Sequence, residues 1–164
     1  MTASQEFTYS RTFNAPRDVV WKARADPASF VEWWRPGGCE LSVVKIEFKP
    51  GGLFHYNMKM PNGNMMWGRM VYREIVEPER IVFVNSFSDA SGGITRAPFS
   101  ATWPLEILNN MTFTERDGQT TVDLRGGPIN PTDEERATFE GSFPSMKQGF
   151  GSTFDLLESY LAKA

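Results

Sequence analysis

The sequence contains one histidine and one cysteine, the two residue types best suited to acid-base or nucleophilic chemistry near neutral pH. His55 stands between Phe54 and Tyr56, and alternate residues of a strand face opposite sides of the sheet. We therefore expect the imidazole to face solvent, away from the two aromatic rings. Cys39 begins a predicted strand and has no base beside it in the sequence, so we expect an inert, partly buried thiol.

Charged and polar side chains on the following strands are a second group of candidates. Glu74 and Arg69 share one predicted strand, and a buried ion pair between them would shift the pKa of the carboxylate and suit it to acid-base work. The commoner outcome for such residues is a pair of charges on the sheet surface. Tyr56 and Asn85 each interrupt an apolar face. They would either contact a ligand or form a hydrogen bond within the core.

Large, adaptable side chains are abundant: 13 Phe, 5 Trp, 4 Tyr and 8 Met in 164 residues. Aromatic rings supply contact area, and unbranched methionine repacks around guests of different shape. Such residues either fill a core densely or line a chamber for a ligand. The candidate ligand-binding residues are Trp34, Phe54, Tyr56, Met58, Trp67, Phe83, Asn85, Phe87, Phe143, Met146 and Phe150.

Composition and charge exclude several classes of partner. Seventeen basic and 20 acidic residues leave a net charge of −3, which supplies no positive field for nucleic acid. A single cysteine forms no intramolecular disulfide, and one histidine leaves few zinc ligands, so no metal or cofactor is expected. No apolar run approaches the length of a membrane span and no signal-like segment opens the chain, so we expect a cytoplasmic protein.

The elements that must position these residues follow from periodicity. Residues 7–13 alternate apolar and polar, which predicts a first strand. Pro16 and then Asp26-Pro27 mark the starts of two short helices. About six antiparallel strands follow, with Asp117-Gly118 as a hairpin turn. Residues 65–76 carry bulky side chains on both faces, so the orientation of that strand stays open.

The carboxyl-terminal segment has the pattern of one long amphipathic helix. Thr132 with Glu135 three residues later is a helix-opening signature, and the helix carries an apolar stripe from Phe139 to Leu161. Pro144 lies within the stripe and predicts a kink. The order of elements predicts a single α+β domain over residues 1–164, in which a curved sheet wraps around the last helix.

Five local patterns occur in order along this chain: NAPRDVVW at 14–21, WWRPGG at 33–38, KPGG at 49–52, REIVEPERIVF at 73–83, and Gly149 before FDLL at 154–157. Together they resemble the family of homologues of the activator of the heat-shock chaperone ATPase, within the START-like or SRPBCC superfamily. The resemblance covers nearly the whole chain and implies the helix-grip fold of the birch pollen allergen. Arg35 departs from the pattern, since glycine commonly follows the tryptophan pair in this family.

The resemblance implies a fold and a pocket more than a reaction, because the superfamily includes lipid carriers, hormone binders, polyketide cyclases and chaperone regulators. Our leading hypothesis is binding of a hydrophobic small molecule, such as a lipid, between the sheet and the last helix without catalysis. The alternative is a cyclase or aromatase-like enzyme that uses the same chamber. Chaperone regulation ranks third, because a single domain leaves no room for a second domain to grip a partner. The protein is expected to be a monomer or homodimer.

Overall fold

The computed structural model describes residues 6–35 and 39–163 of the chain. The strands are β1 Phe7–Phe13, β2 Glu40–Ile46, β3 Leu53–Lys59, β4 Met65–Val76, β5 Arg80–Phe87, β6 Ile107–Arg116 and β7 Gln119–Pro128. The helices are α1 Arg17–Ala25, α2 Pro27–Trp33, α3 Asp133–Gly141 and α4 Phe143–Lys163. Residues 36–38, whose Pro-Gly-Gly sequence predicts the end of the second short helix, lie outside the described residues.

The seven strands form one antiparallel sheet in the order β1-β7-β6-β5-β4-β3-β2. Strands β2 to β7 form a meander, and the first strand, β1, pairs with β7 at the edge of the sheet opposite β2. The helices α1 and α2 therefore connect one edge of the sheet to the other across one face. Helix α4 packs against β1, α1, α2 and α3 on that same side. This arrangement confirms the predicted α+β helix-grip fold.

Short signals in the sequence account for the observed ends of several elements. Asp117 and Gly118 have φ angles of 55° and 77°, the left-handed pair required by a type I′ hairpin between β6 and β7. The hydroxyl of Thr132 accepts a hydrogen bond from the amide of Glu135, whose carboxylate accepts one from the amide of Thr132. This capping box opens α3 as predicted.

The carboxyl-terminal segment differs from the expected single kinked helix. Helix α3 ends at Gly141, Ser142 caps it, and a second helix begins at Phe143. Pro144 therefore lies in the first turn of α4, where its missing amide hydrogen would have had no helical partner. Phe139 of α3 and Phe143 of α4 remain in contact across this break, with ring centroids 5.4 Å apart.

The structure also gives the orientation of β4 that the sequence leaves open. Pairing with β3 places Gly68 opposite Tyr56 and Met70 opposite Phe54, so these residues face the helices. A β-bulge at Arg73 then shifts the register against β5. Two-residue alternation is broken at this point, which explains why periodicity alone did not orient the strand.

Candidate functional site

The face of the sheet beneath the helices is closed at one end and partly open at the other. Phe54, Tyr72 and Phe83 are at most 2% exposed. Along the same strands, Tyr56 and Phe87 keep part of their surface accessible. These two rings face the helices but are not fully covered by them.

Side chains predicted to share a chamber do meet across the fold. The ring centroids of Phe54 and Tyr56 lie 4.8 Å apart, and Trp34, just after α2, lies 6.2 Å from Phe150 of α4. Phe143 and Phe150 both contact Phe7, at 5.6 and 5.5 Å. Helices and strands distant in sequence thus contribute to one aromatic layer.

The remaining inward candidates extend this layer. Met146 packs with Phe143 and Phe150 around the buried Phe7. Met58 is 8% exposed and pairs with Met66 of β4, and Phe83 belongs to the main core cluster. Phe87 reaches the loop before β6, where its ring lies 5.4 Å from that of Phe99.

A cleft of about 700 Å³ opens at the edge of this layer, between the start of β1 and the first turn of α4. Its lining residues are Glu6, Phe7, Thr8, Phe143, Pro144 and Lys147. Phe143 is the predicted site residue on its wall, and Phe7 separates the cleft from Phe150 behind it. The cleft is a lateral opening between sheet and helix rather than the enclosed apolar hollow expected between them.

Tyr56, Asn85 and Asn109 are polar side chains that lie within the apolar layer. The amide nitrogen of Asn109 donates a hydrogen bond to the side-chain oxygen of Asn85 and also points toward the carbonyl of Ile107, 3.3 Å away. The hydroxyl of Tyr56 is desolvated, and this effect, with a smaller contribution from Tyr72, raises the pKa of Tyr56 to about 12. Tyr56 therefore remains a neutral phenol, able to donate a hydrogen bond but unsuited to act as a base at neutral pH.

Trp67 was expected at the chamber wall, and this placement is wrong. It pairs with Asn57 on the outer face of the sheet, where its ring lies 5.5 Å from that of His55. The strand alternation that orients Tyr56 inward necessarily turns Trp67, one residue before Gly68, outward.

His55 does lie on the opposite face from Phe54 and Tyr56, but the expectation that it faces solvent is wrong. It is only 4% exposed, because the loop after β5 folds over it. The Nε2 atom lies 3.2 Å from the carbonyl oxygen of Asp89, and Gly92 packs against the ring. Strand parity predicts a face, whereas burial depends on a loop that arrives from more than 30 residues away.

The charged candidates lie outside the aromatic layer. Glu74 pairs with Arg80 on the exposed surface instead of with Arg69. Arg69 faces outward beside His55 and donates to the carbonyl of Gly92 at 2.8 Å. Surface charges were the commoner outcome expected, and the structure confirms it.

Cys39 is 2% exposed, and its thiol lies 3.7 Å from the sulfur of Met60. Burial raises the pKa of the Cys39 thiol, an effect that the nearby Arg35 partly offsets. The Cys39 side chain therefore stays in its protonated, unreactive form, as the sequence predicts.

Sequence reasoning missed three polar residues on the inner side: Arg24, Tyr72 and Asn109. Arg24 is 1% exposed. Val20 and Trp21 precede it by four and three residues, so helical spacing already placed it on the apolar face of α1. Asn109 alternates with Ile107 and Met111, so strand parity carried the same signal.

Two general properties bear on the kind of site. Within residues 6–35 and 39–163, no three His, Cys, Asp or Glu side chains gather as metal ligands. In the same part of the chain, every helix is too short or too polar to cross a membrane.

Comparison with known proteins adds a family and a set of folds. The family described as activator of Hsp90 ATPase homolog 1-like protein matches residues 14–162. Protein Ms6760 from Mycobacterium smegmatis is 24% identical with a TM-score of 0.77, over 96% of this chain and 94% of that one. A protein from Arthrobacter aurescens is 19% identical with a TM-score of 0.81, and the match covers 98% of this chain and 88% of that one.

A third solved structure is DynU16, a protein of the dynemicin biosynthetic locus, with 18% identity and a TM-score of 0.65. The match covers 98% of this chain and 48% of DynU16. No curated protein sequence matches the chain. At these identities the solved structures establish the shared fold, and function must be argued from the site.

Proposed function

Because the chain belongs to the activator of Hsp90 ATPase homolog 1-like protein family, we propose that it binds a hydrophobic small molecule between the inner face of the sheet and α4. The observation that carries this proposal is the partial accessibility of inward-facing side chains at one end of the layer. Those residues are Trp34, Tyr56, Asn85, Phe87, Phe143, Met146 and Phe150.

Apolar surface is costly to leave in contact with water. Elsewhere on the same face of the sheet, aromatic side chains are fully covered. Phe54 and Phe83 are sealed only two residues before Tyr56 and Asn85 on their strands. A mostly apolar wall with a few hydrogen-bonding groups is the usual lining of a small-molecule site. Tyr56 and Asn85 supply such groups, and the cleft at Phe143 brings solvent to the edge of the aromatic layer.

The proposal is tested by titrating the protein with Nile red, a neutral dye whose fluorescence rises in apolar surroundings. Wild-type protein should bind it saturably at one site. Met146→Glu places a carboxylate in the proposed site and should weaken binding at least tenfold, about 1.4 kcal/mol.

Met65→Glu is the matched control, because Met65 is 53% exposed and precedes the inward-facing Met66. It should bind the dye like the wild type. Denaturation of all three proteins separates lost binding from lost folding. Absence of saturable binding to the wild type, or equal loss in both variants, would overturn the proposal.

The cyclase alternative has less support from the site. It requires at least one buried polar group among Glu74, Arg69, Tyr56 and Asn85, and the two charged ones, Glu74 and Arg69, lie on the outer face or surface of the sheet. Tyr56 and Asn85 remain inside, but both are neutral hydrogen-bonding groups. They suit positioning of a ligand better than proton transfer.

A further inference from the structure

Arg24 of α1 is a charged side chain enclosed by the core. It is 1% exposed, and its guanidinium carbon lies 4.0 Å from the ring centroid of Phe30. Four further ring centroids lie 5.6 to 5.7 Å from that carbon, those of Trp34, Phe48, Tyr72 and Phe83. We call these five rings together with Arg24 the arginine cage.

The guanidinium of the cage is short of hydrogen-bond acceptors. Its Nη2 atom lies 3.7 Å from the sulfur of Met70, a weak acceptor. Its Nε and Nη1 atoms are buried and have no hydrogen-bond partner among the described residues. The hydroxyl of Tyr72, in the same cage, is also buried without a partner.

Such a group is costly to keep without a counter-ion. Burial lowers the pKa of Arg24, an effect that Tyr72 partly offsets, yet a guanidinium stays protonated in proteins. The aromatic faces attract the cation and offset part of its desolvation. Apart from the nearby hydroxyl of Tyr72 the rings offer no conventional acceptor, so the buried cation stays without a counter-ion among the described residues.

The cage adjoins the proposed binding site. Phe30 lies 5.1 Å from Trp34 and 5.4 Å from Phe54 between ring centroids, and Trp34 reaches Phe150. Trp34 and Phe83 thus belong both to the cage and to the set of predicted site residues. Trp34 is the partly exposed ring of the cage on the side of α4, so a ligand lying along the aromatic layer would reach the guanidinium by displacing this ring.

We propose that the ligand is a hydrophobic carboxylic acid whose carboxylate accepts hydrogen bonds from Arg24 and Tyr72 while its apolar body lies along the aromatic layer. This inference rests on the proposed function and narrows its ligand to one chemical class. Carboxylate is the natural partner, since its two oxygens can accept parallel, charge-assisted hydrogen bonds from the donor fork of a guanidinium, which a neutral alcohol cannot do.

The test compares dodecanoate with dodecanol, which share a chain length but differ in charge, by competition against Nile red below their micellar concentrations. Wild-type protein should bind dodecanoate at least tenfold more tightly than dodecanol. Arg24→Met keeps an unbranched side chain in the cage and should abolish this preference while retaining affinity for the alcohol. Tyr72→Phe should reduce the preference without changing the fold.

Arg69→Met is the matched control, since it removes one positive charge from the outer face and should leave the preference intact. Arg24→Met should also raise the melting temperature of the unliganded protein, because an uncompensated charge leaves the core. If Arg24→Met fails to fold, the wild-type comparison and Tyr72→Phe still decide the question.

The outcomes separate this inference from the proposed function. Equal affinity of wild-type protein for the acid and the alcohol would overturn the carboxylate inference and leave hydrophobic binding standing. Failure of both ligands and of Nile red to bind would overturn both. A preference that survives in Arg24→Met would show that the cage is purely structural.

Discussion

Gly68 and Tyr56 are partners across β3 and β4, and the ring of Tyr56 occupies the space that a side chain at Gly68 would need. A Cβ atom built on Gly68 would lie 2.5 Å from both Cζ and the hydroxyl oxygen of Tyr56. The missing side chain thus lets the ring lie flat against β4. This contact sets the shape of the open end of the aromatic layer.

Gly68→Ala should therefore displace the ring of Tyr56 and destabilise the protein by about 1 to 3 kcal/mol, as overpacking does. Urea denaturation measures the change. Gly149→Ala in α4 is the control: its Cβ would meet nothing within 4 Å, so it should stabilise by about 0.5 to 1 kcal/mol, the usual gain from replacing glycine in a helix. A neutral Gly68→Ala would contradict the observed ring position.

His55→Ala should destabilise the protein by about 1 to 3 kcal/mol, because it removes a buried ring from Trp67 and the partner of the Asp89 carbonyl. Nile red affinity should stay unchanged, since His55 lies on the face away from the proposed site. Lys59→Gln, at an exposed position of the same strand, should leave both quantities unchanged. Loss of dye binding without loss of stability would place the imidazole inside the site.

The ion pair between Arg96 and Glu135 should make stability depend on pH in the acid range. Hydrogen bonding from Arg96 and from the backbone of Thr132 holds the pKa of Glu135 below its ordinary value of 4.5. A carboxylate with a depressed pKa stabilises the folded state above the unfolded-state pKa, and this contribution is lost as the pH falls through the folded-state pKa.

Arg96→Gln should thus cost less than about 1 kcal/mol at neutral pH, because Arg96 is partly exposed, and the difference from wild type should vanish in acid. Denaturation midpoints of both proteins across that range measure the effect. Arg116→Gln is the control, since Arg116 is almost fully exposed and its ion pair is with the neighbouring Asp117, at 4.0 Å. A difference from wild type that persists unchanged into acid would assign the cost to packing instead.

Much of the fold could be predicted from local patterns in the sequence. The hairpin at Asp117-Gly118, the capping box at Thr132 and the opposite faces of Phe54 and His55 each depend on residues within a few positions of one another. Their outcome is decided by turn chemistry and by two-residue alternation, which the sequence states directly. The break before Phe143 was missed because the apolar stripe continues across it.

The environment of a side chain was decided by tertiary structure. Strand alternation places Tyr56 and His55 on opposite sides of the sheet, but the loop at Asp89 buries His55 and the bulge at Arg73 sets the register of β4. The cage around Arg24 joins rings from α2 to β5 that are spread over about 50 positions of the chain. Burial and hydrogen bonding depend on which distant segments meet, and periodicity within one segment contains no information about that meeting.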